Sequence, residues 1–248
     1  MEKISIGIIT YNEELNIERC LKSCQLVTSN IIIIDSFSTD STLEICKKYN
    51  CEILKNKFND YSDQRNFLLS KISSEWVLII DADEEITENL ASEINNLIKK
   101  NSKNFNGYKI RRQTIFNGEK LRFIFQPDKV IRLFIKTDNI YYKGIVHEEL
   151  IINGNIGELE NILNHYNYTN IKHWLRKMDE YSFLCAKKKN QSTNLLFIMI
   201  SSFYAFFKFY IIKLGFLDGL NGLLFSVGHC LYIILKGYYR RQIYNKDD

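Results

Sequence analysis

Two carboxylates one residue apart, Asp81 and Asp83, directly follow the apolar run Trp76-Val77-Leu78-Ile79-Ile80. A buried strand opening into a loop there lets both face one divalent ion. Mg²⁺ and Mn²⁺ are hard ions that take carboxylate and phosphate oxygens, and such an ion makes a diphosphate a better leaving group. The same tripeptide also suits a plain turn, with Asp83, Glu84 and Glu85 favourably placed on the dipole of a following helix. The strand before it weighs toward the metal reading.

Three further clusters carry polar groups at comparable places. Asp35, in Asp35-Ser36-Phe37-Ser38-Thr39-Asp40, ends a second apolar run. A carboxylate there can accept the imide N–H of a uracil, or can form an Asx turn, a role for which Asp40 is the better candidate. Thr10-Tyr11-Asn12-Glu13 follows the first apolar run, where backbone and an aromatic ring suit a nucleoside; a simple helix start is the alternative. Arg65, in Asp63-Gln64-Arg65-Asn66, can reach a phosphate or a site carboxylate, or lie on the surface of an amphipathic helix.

The elements that must position these residues follow from hydrophobic periodicity. Apolar runs at 4–9, 31–34, 51–54 and 76–80 alternate with helical spacing over 13–27, around Leu43 and Ile45, over 61–72, and from about residue 86 through Leu90, Ile94, Leu97 and Ile98. This order predicts an α/β fold with a mostly parallel open sheet and helices on both faces. Ligands of such sheets bind beyond the C-terminal strand ends, where the polar clusters gather. Residues 105–168 predict an antiparallel extension forming an acceptor side, with Asn117-Gly118 as a hairpin turn. Residues 169–248 predict a helical appendage.

The set Thr10-Tyr11-Asn12-Glu13, Asp35 to Asp40, Gln64-Arg65-Asn66 and Asp81-Ala82-Asp83-Glu84, in this order, resembles family 2 glycosyltransferases over most of residues 1–150. The resemblance implies a GT-A, Rossmann-like catalytic domain over 1–168, with 1–104 as its nucleotide-sugar half. It implies a nucleotide-sugar donor, Mg²⁺ or Mn²⁺, and inversion at the anomeric carbon. Carried over, Asp35 reads uracil, Asp81 contacts ribose or metal, and Asp83 binds metal. Arg132-Leu133-Phe134, Val146-His147-Glu148 and Leu214 to Gly219 are similar to the branch of lipopolysaccharide-core β-1,4-glucosyltransferases acting on heptose. That similarity implies UDP-glucose and a lipopolysaccharide-core or other surface-glycan acceptor. Polyprenyl phosphate or a protein is the alternative acceptor.

Inversion needs a base to take the acceptor hydroxyl proton. Glu148 is the first candidate and Glu149 the second; His147 either ligates the metal or holds Glu148. Arg111, Arg112, Lys129 and Arg132 suit an acidic or phosphorylated acceptor, or line strand edges, and His165 reads as a hydrogen-bonded structural residue. A nucleotidyltransferase would want a Gly-rich phosphate loop after the first strand, where Thr10-Tyr11-Asn12-Glu13 stands instead. A non-catalytic membrane-associated scaffold would not need Asp35, Asp81 and Asp83.

The net charge of +4 over 248 residues gives no reason to expect a nucleic-acid partner. Six cysteines without CxxC spacing read as buried apolar groups in a reducing compartment. The first residues enter a strand rather than a signal peptide, so a cytoplasmic catalytic part is expected. Residues 195–207 and 219–235 are apolar but interrupted or bounded by lysines, short of roughly 20 clean residues for a span. They fit helices in the interface of the inner membrane's cytoplasmic face, or a hairpin packed on the catalytic domain or in a homo-oligomer.

Overall fold

The computed structural model describes residues 3–100, 104–126, 128–144, 148–168, 170–187 and 194–244. The chain packs as two compact units. One comprises residues up to 112 together with 128–166; the other comprises 113–127 together with 167 onward.

The first unit begins with strand β1 (Ile4–Thr10), helix α1 (Ile17–Cys24), strand β2 (Ile31–Asp35), helix α2 (Thr42–Lys47), strand β3 (Glu52–Lys55), helix α3 (Tyr61–Lys71) and strand β4 (Trp76–Asp81). A short strand β5 (Glu84–Ile86) precedes helix α4 (Glu88–Lys100). Strands β6 (Gly107–Phe116), β7 (Glu119–Lys120), β8 (Lys129–Ile135), β9 (Tyr141–Lys143), β10 (Glu149–Ile151) and β11 (Ile156–His165) follow. The sheet order is β3-β2-β1-β4-β8-β6-β11-β5, with β7 paired to β6, and β9–β10 forms a separate ribbon. The neighbours β3, β2, β1 and β4 are parallel, and β8 joins β4 antiparallel. The expected α/β architecture, with its antiparallel extension and C-terminal helices, is therefore the observed one.

Strand alternation sorts the core into two faces. Trp76, Leu78 and Ile80 pack with Ile17, Leu21, Leu90 and Ile94 of α1 and α4. Val77 and Ile79 pack with Leu68 and Leu69 of α3 and with Ile72 just after it. Burying each such aliphatic side chain contributes about 1.5–3 kcal/mol. Gly7 in β1 lets α3 approach, because a Cβ there would stand 2.8 Å from Leu68 Cδ2.

Two local features depart from the sequence expectation. The segment after Asp83 does not enter a helix at once: β5 intervenes and pairs antiparallel with the end of β11, Glu84 opposite His165. Strand β6 crosses from the first unit into the second at Arg112/Gln113. Its far end turns at Asn117 and Gly118, both at positive φ (50° and 78°), into β7, as the Asn-Gly pair predicts.

The second unit contains that hairpin and helices α5 (Ile171–Lys187), α6 (Leu195–Phe207) and α7 (Gly219–Tyr244). A π-helical turn continues α6 through Ile212, and a 3₁₀ turn over Gly215–Asp218 leads into α7. Phe225 is its centre, in edge-on contact with Phe116, Phe125 and Trp174. The Asp218 carboxylate accepts from the backbone N–H groups of Arg122, Phe123 and Ile124 at 2.7, 3.0 and 2.9 Å.

Candidate active site

The clusters do meet at one edge of the first unit. Thr10 ends β1 in register with Asp35 at the end of β2, and Asp81 ends β4 beside them. The loops after β1 and β2 are stitched together. Asn12, at φ 52°, receives Ser38 Oγ on its N–H and accepts from the Thr39 N–H through its side chain, at 2.9 and 2.8 Å. The Glu13 N–H donates to Thr42 Oγ1 at 2.8 Å, while the Glu13 carboxylate accepts from Asn16 at 2.9 Å. Tyr11 is left 57% exposed, open for stacking. Thr10 Oγ1 is buried with no hydrogen-bond partner, pointing to an unfilled polar position at the end of β1.

Asp35 is fully buried, and both its oxygens accept from Ser38: from the backbone N–H at 2.9 Å and the hydroxyl at 2.5 Å. It pins the Ser36–Thr39 loop.

Asp81 anchors the centre of the site. One carboxylate oxygen accepts from Arg65 Nη2 at 2.7 Å, and the other from Arg132 Nη2. Burial alone would push its carboxyl up, but the charges of Arg132 and Arg65 and the Arg132 hydrogen bond outweigh that and hold it well below the usual carboxylate range. Arg132 also donates to Glu84, whose second oxygen accepts from the Asp81 N–H at 2.9 Å. Arg112 reaches Glu84 at 3.4 Å and grips Asp128 with two bonds of 3.0 Å. Buried charges are tolerable only when paired in this way. Each Asp81 oxygen thus meets one arginine and keeps a second lone pair.

Asp83 faces His165, with Oδ1 3.4 Å from Nε2. Burial opposes protonation of His165, but the Asp83 hydrogen bond and the charges of Asp83 and Glu84 raise its pKa. Among the described residues no group of three or more His, Cys, Asp or Glu stands ready for a metal. The carboxylate and imidazole still offer two donors at one point, which suits an ion that takes its remaining ligands from phosphate and water. His147 lies outside the described residues.

Helix α3 draws the later loop back to this edge. The Asp60 carboxylate caps it by accepting from the Asp63 N–H at 2.8 Å. Ser62, Arg65 and Asn66 then share one face, at i, i+3 and i+4. Ser62 donates to the Gly144 carbonyl at 2.5 Å, and Asn66 exchanges two bonds with Tyr142, of 2.9 and 2.7 Å. Between them Arg65, 4% exposed, meets Glu148 at 3.3 Å through Nε while holding Asp81 through Nη2. Gln64 turns the other way and bonds Ser36 at 2.9 Å. Glu149, by contrast, lies exposed in β10 opposite Lys143.

Of the residues named from sequence, Arg65 meets both Asp81 and Glu148, whereas Asp83 faces His165. Sequence reasoning missed Glu84, Asn66 and Tyr142 as contributors, and it read His165 without its partner Asp83. Of the basic set, Arg132 and Arg112 join the buried network, whereas Lys129 pairs with Glu158 at 2.6 Å.

Residues 5–215 match the family described as Glycosyl transferase family 2. An uncharacterized glycosyltransferase of Rickettsia typhi is 30% identical over 241 residues, covering 92% of this chain and 82% of that protein. The glycosyltransferase SunS from the SPbeta prophage of Bacillus subtilis is 43% identical over 83 residues, 32% of this chain and 20% of that one. Among solved structures, S. aureus TarS 1-349 in complex with UDP-GlcNAc matches with a TM-score of 0.52 at 17% identity, over 99% of this chain and 91% of that chain. At that identity the likeness carries the GT-A fold alone. With the family match spanning most of its length, the chain belongs to glycosyl transferase family 2.

Proposed function

We propose that the protein is an inverting hexosyltransferase that moves glucose from UDP-glucose to a lipopolysaccharide-core or other surface-glycan acceptor. One observation carries the mechanism: Arg65 joins Glu148 to Asp81, so a carboxylate from a distant loop stands at the edge where the donor's diphosphate is expected. Glu148 accepts the proton of the acceptor hydroxyl. That oxygen attacks the anomeric carbon, the bond from carbon to diphosphate oxygen breaks on the opposite side, and UDP leaves with the electron pair. Arg65 orients Glu148 through the 3.3 Å ion pair.

Tyr11 stacks on the nucleoside, and Asp35 reads uracil by exchanging a Ser38 bond for the imide N–H. Asp83 with His165 would hold Mg²⁺ or Mn²⁺, which when bound neutralises the diphosphate. TarS, solved with UDP-GlcNAc, lends support to a UDP-sugar. The choice of glucose and of a lipopolysaccharide acceptor rests on the similarity of Arg132-Leu133-Phe134 and Leu214–Gly219 to the heptose glucosyltransferase branch.

The test is Glu148→Gln, which keeps shape and removes the basic oxygen. Transfer should fall about 10²–10⁴-fold, while UDP still raises the melting temperature as in the parent protein. Unchanged turnover would remove Glu148 from the mechanism. Absence of any shift with UDP in the parent protein would remove the uridine assignment.

A further inference from the structure

The second unit turns apolar residues outward on a scale that its own packing does not explain. In α6 the inward residues are Ile198, Ser202 and Ala205. Leu195, Leu196, Phe197, Met199, Ile200, Phe203, Tyr204 and Phe207 are all exposed, Phe203 by 73%. At 100° per residue these eight cover roughly 200° of the helix circumference, with no charged side chain among them. In α7 the exposed apolar residues Leu220, Leu223, Val227, Leu231, Ile234 and Tyr238 follow helical spacing along one stripe. The opposite side is closed: Gly228 is pressed on Trp174 of α5, and Gly237 on Ile198 of α6.

Charge is equally one-sided. From residue 194 to 244 the chain carries Lys208, Lys213, Lys236, Arg240 and Arg241 against one carboxylate, Asp218. That carboxylate is already bound to three backbone N–H groups. We propose that α6 and α7 form a lipid-binding face that lies in the interface of an anionic bilayer, apolar residues among the acyl chains and cations among phosphate headgroups.

Three observations favour lipid over a second copy of the chain. A partner helix covers a stripe of roughly 100°, half of what α6 exposes. Two such units face to face would bring like charges together. The basic residues flank the apolar segments, which is the pattern of interfacial helices. Both segments, Leu195–Ile212 and Gly215–Tyr244, are long and apolar enough to cross a membrane. An in-plane arrangement fits better, because α7 exposes a single stripe and α5 beside it carries the exposed charges Lys172, Arg176, Asp179 and Glu180. The inference rests on the second unit alone and is independent of the sugar and nucleotide.

The experiment is flotation of the full chain with preformed vesicles. One set is phosphatidylcholine, the other phosphatidylcholine mixed with phosphatidylglycerol. The parent protein should float with the anionic vesicles and at least tenfold less with the neutral ones. Phe197→Ser/Ile200→Ser/Phe203→Ser should lose at least tenfold in vesicle partitioning, and Lys208→Gln/Arg241→Gln should lose the preference for phosphatidylglycerol. Both variants keep the parent's melting temperature and far-UV circular dichroism, which shows that they fold. Parent protein that stays unbound overturns the proposal. So does a parent protein that is dimeric by light scattering when the triple variant is monomeric, because a second copy then covers the face. Equal flotation of parent and triple variant also overturns it, and resistance to alkaline extraction overturns the in-plane arrangement.

Discussion

The two units break the usual rule of burial in opposite directions. At the site edge the first unit buries Arg65, Arg132, Glu84 and Asp35. In the second unit α6 exposes eight large apolar side chains. Charged residues inside and apolar residues outside are the informative exceptions in a folded protein. Each exception marks a surface that the isolated chain leaves unfinished. The buried charges form a frame of arginines and carboxylates at the ends of the parallel strands. The apolar helices present their side chains outward. Stability in the first unit therefore depends on keeping charges paired, and in the second on close helix packing.

That contrast can be broken at graded cost, and each unit carries its own reporter, since Trp76 lies in one and Trp174 in the other. The largest loss is expected from Arg132→Ala, which leaves the buried Asp81 with Arg65 alone and the buried Glu84 with Arg112 at 3.4 Å. Urea unfolding in a Trp174→Phe background should show a loss of about 3–5 kcal/mol and no sugar transfer. A loss within experimental scatter would mean that the network is not buried as described. Gly228→Ala comes next, because its Cβ would stand 2.1 Å from Trp174 Cζ2. Overpacking of this kind costs about 1–3 kcal/mol, read by Trp174 in a Trp76→Phe background. Asp218→Ala should cost about 1 kcal/mol, the size of a lost helix cap, and should increase amide exchange at Arg122, Phe123 and Ile124. The smallest effect is expected from Phe197→Ser, within about 0.5 kcal/mol in solution; a large loss there would show that the α6 face is covered within the chain.

The legible part of this molecule was the part held by local pattern. Continuous apolar runs announced β1, β2 and β4, because strands covered on both faces need apolar residues at every position. The carboxylates directly after those runs announced the site. The network's pairings were not legible, because they are long-range. Asp81 and Arg132 are 51 residues apart, and no local pattern says that Arg132 reaches Asp81 while Lys129 ends in an ordinary surface pair. Strand β5 was hidden because three residues, two of them glutamates, have no periodicity to read and gain their strand geometry from β11. His165 looked structural because its partner Asp83 lies on the far side of the whole antiparallel extension in sequence. The exposure of α6 was half legible: composition marked it as apolar, but a buried hairpin and an outward-facing helix have the same composition and differ only in exposure.

The Asp218 clamp has a consequence for engineering. The segment 113–127 leaves β6 in mid-strand and depends for three of its backbone N–H partners on a residue nearly a hundred positions later. The modular boundary of this enzyme therefore does not coincide with any single point in the chain. A chimera that swaps only the C-terminal helices for those of a relative would leave the 122–124 turn without its acceptor. One that exchanges 113–127 and everything after 166 together would carry the clamp intact, so recombination between relatives should succeed at paired crossovers and fail at single ones.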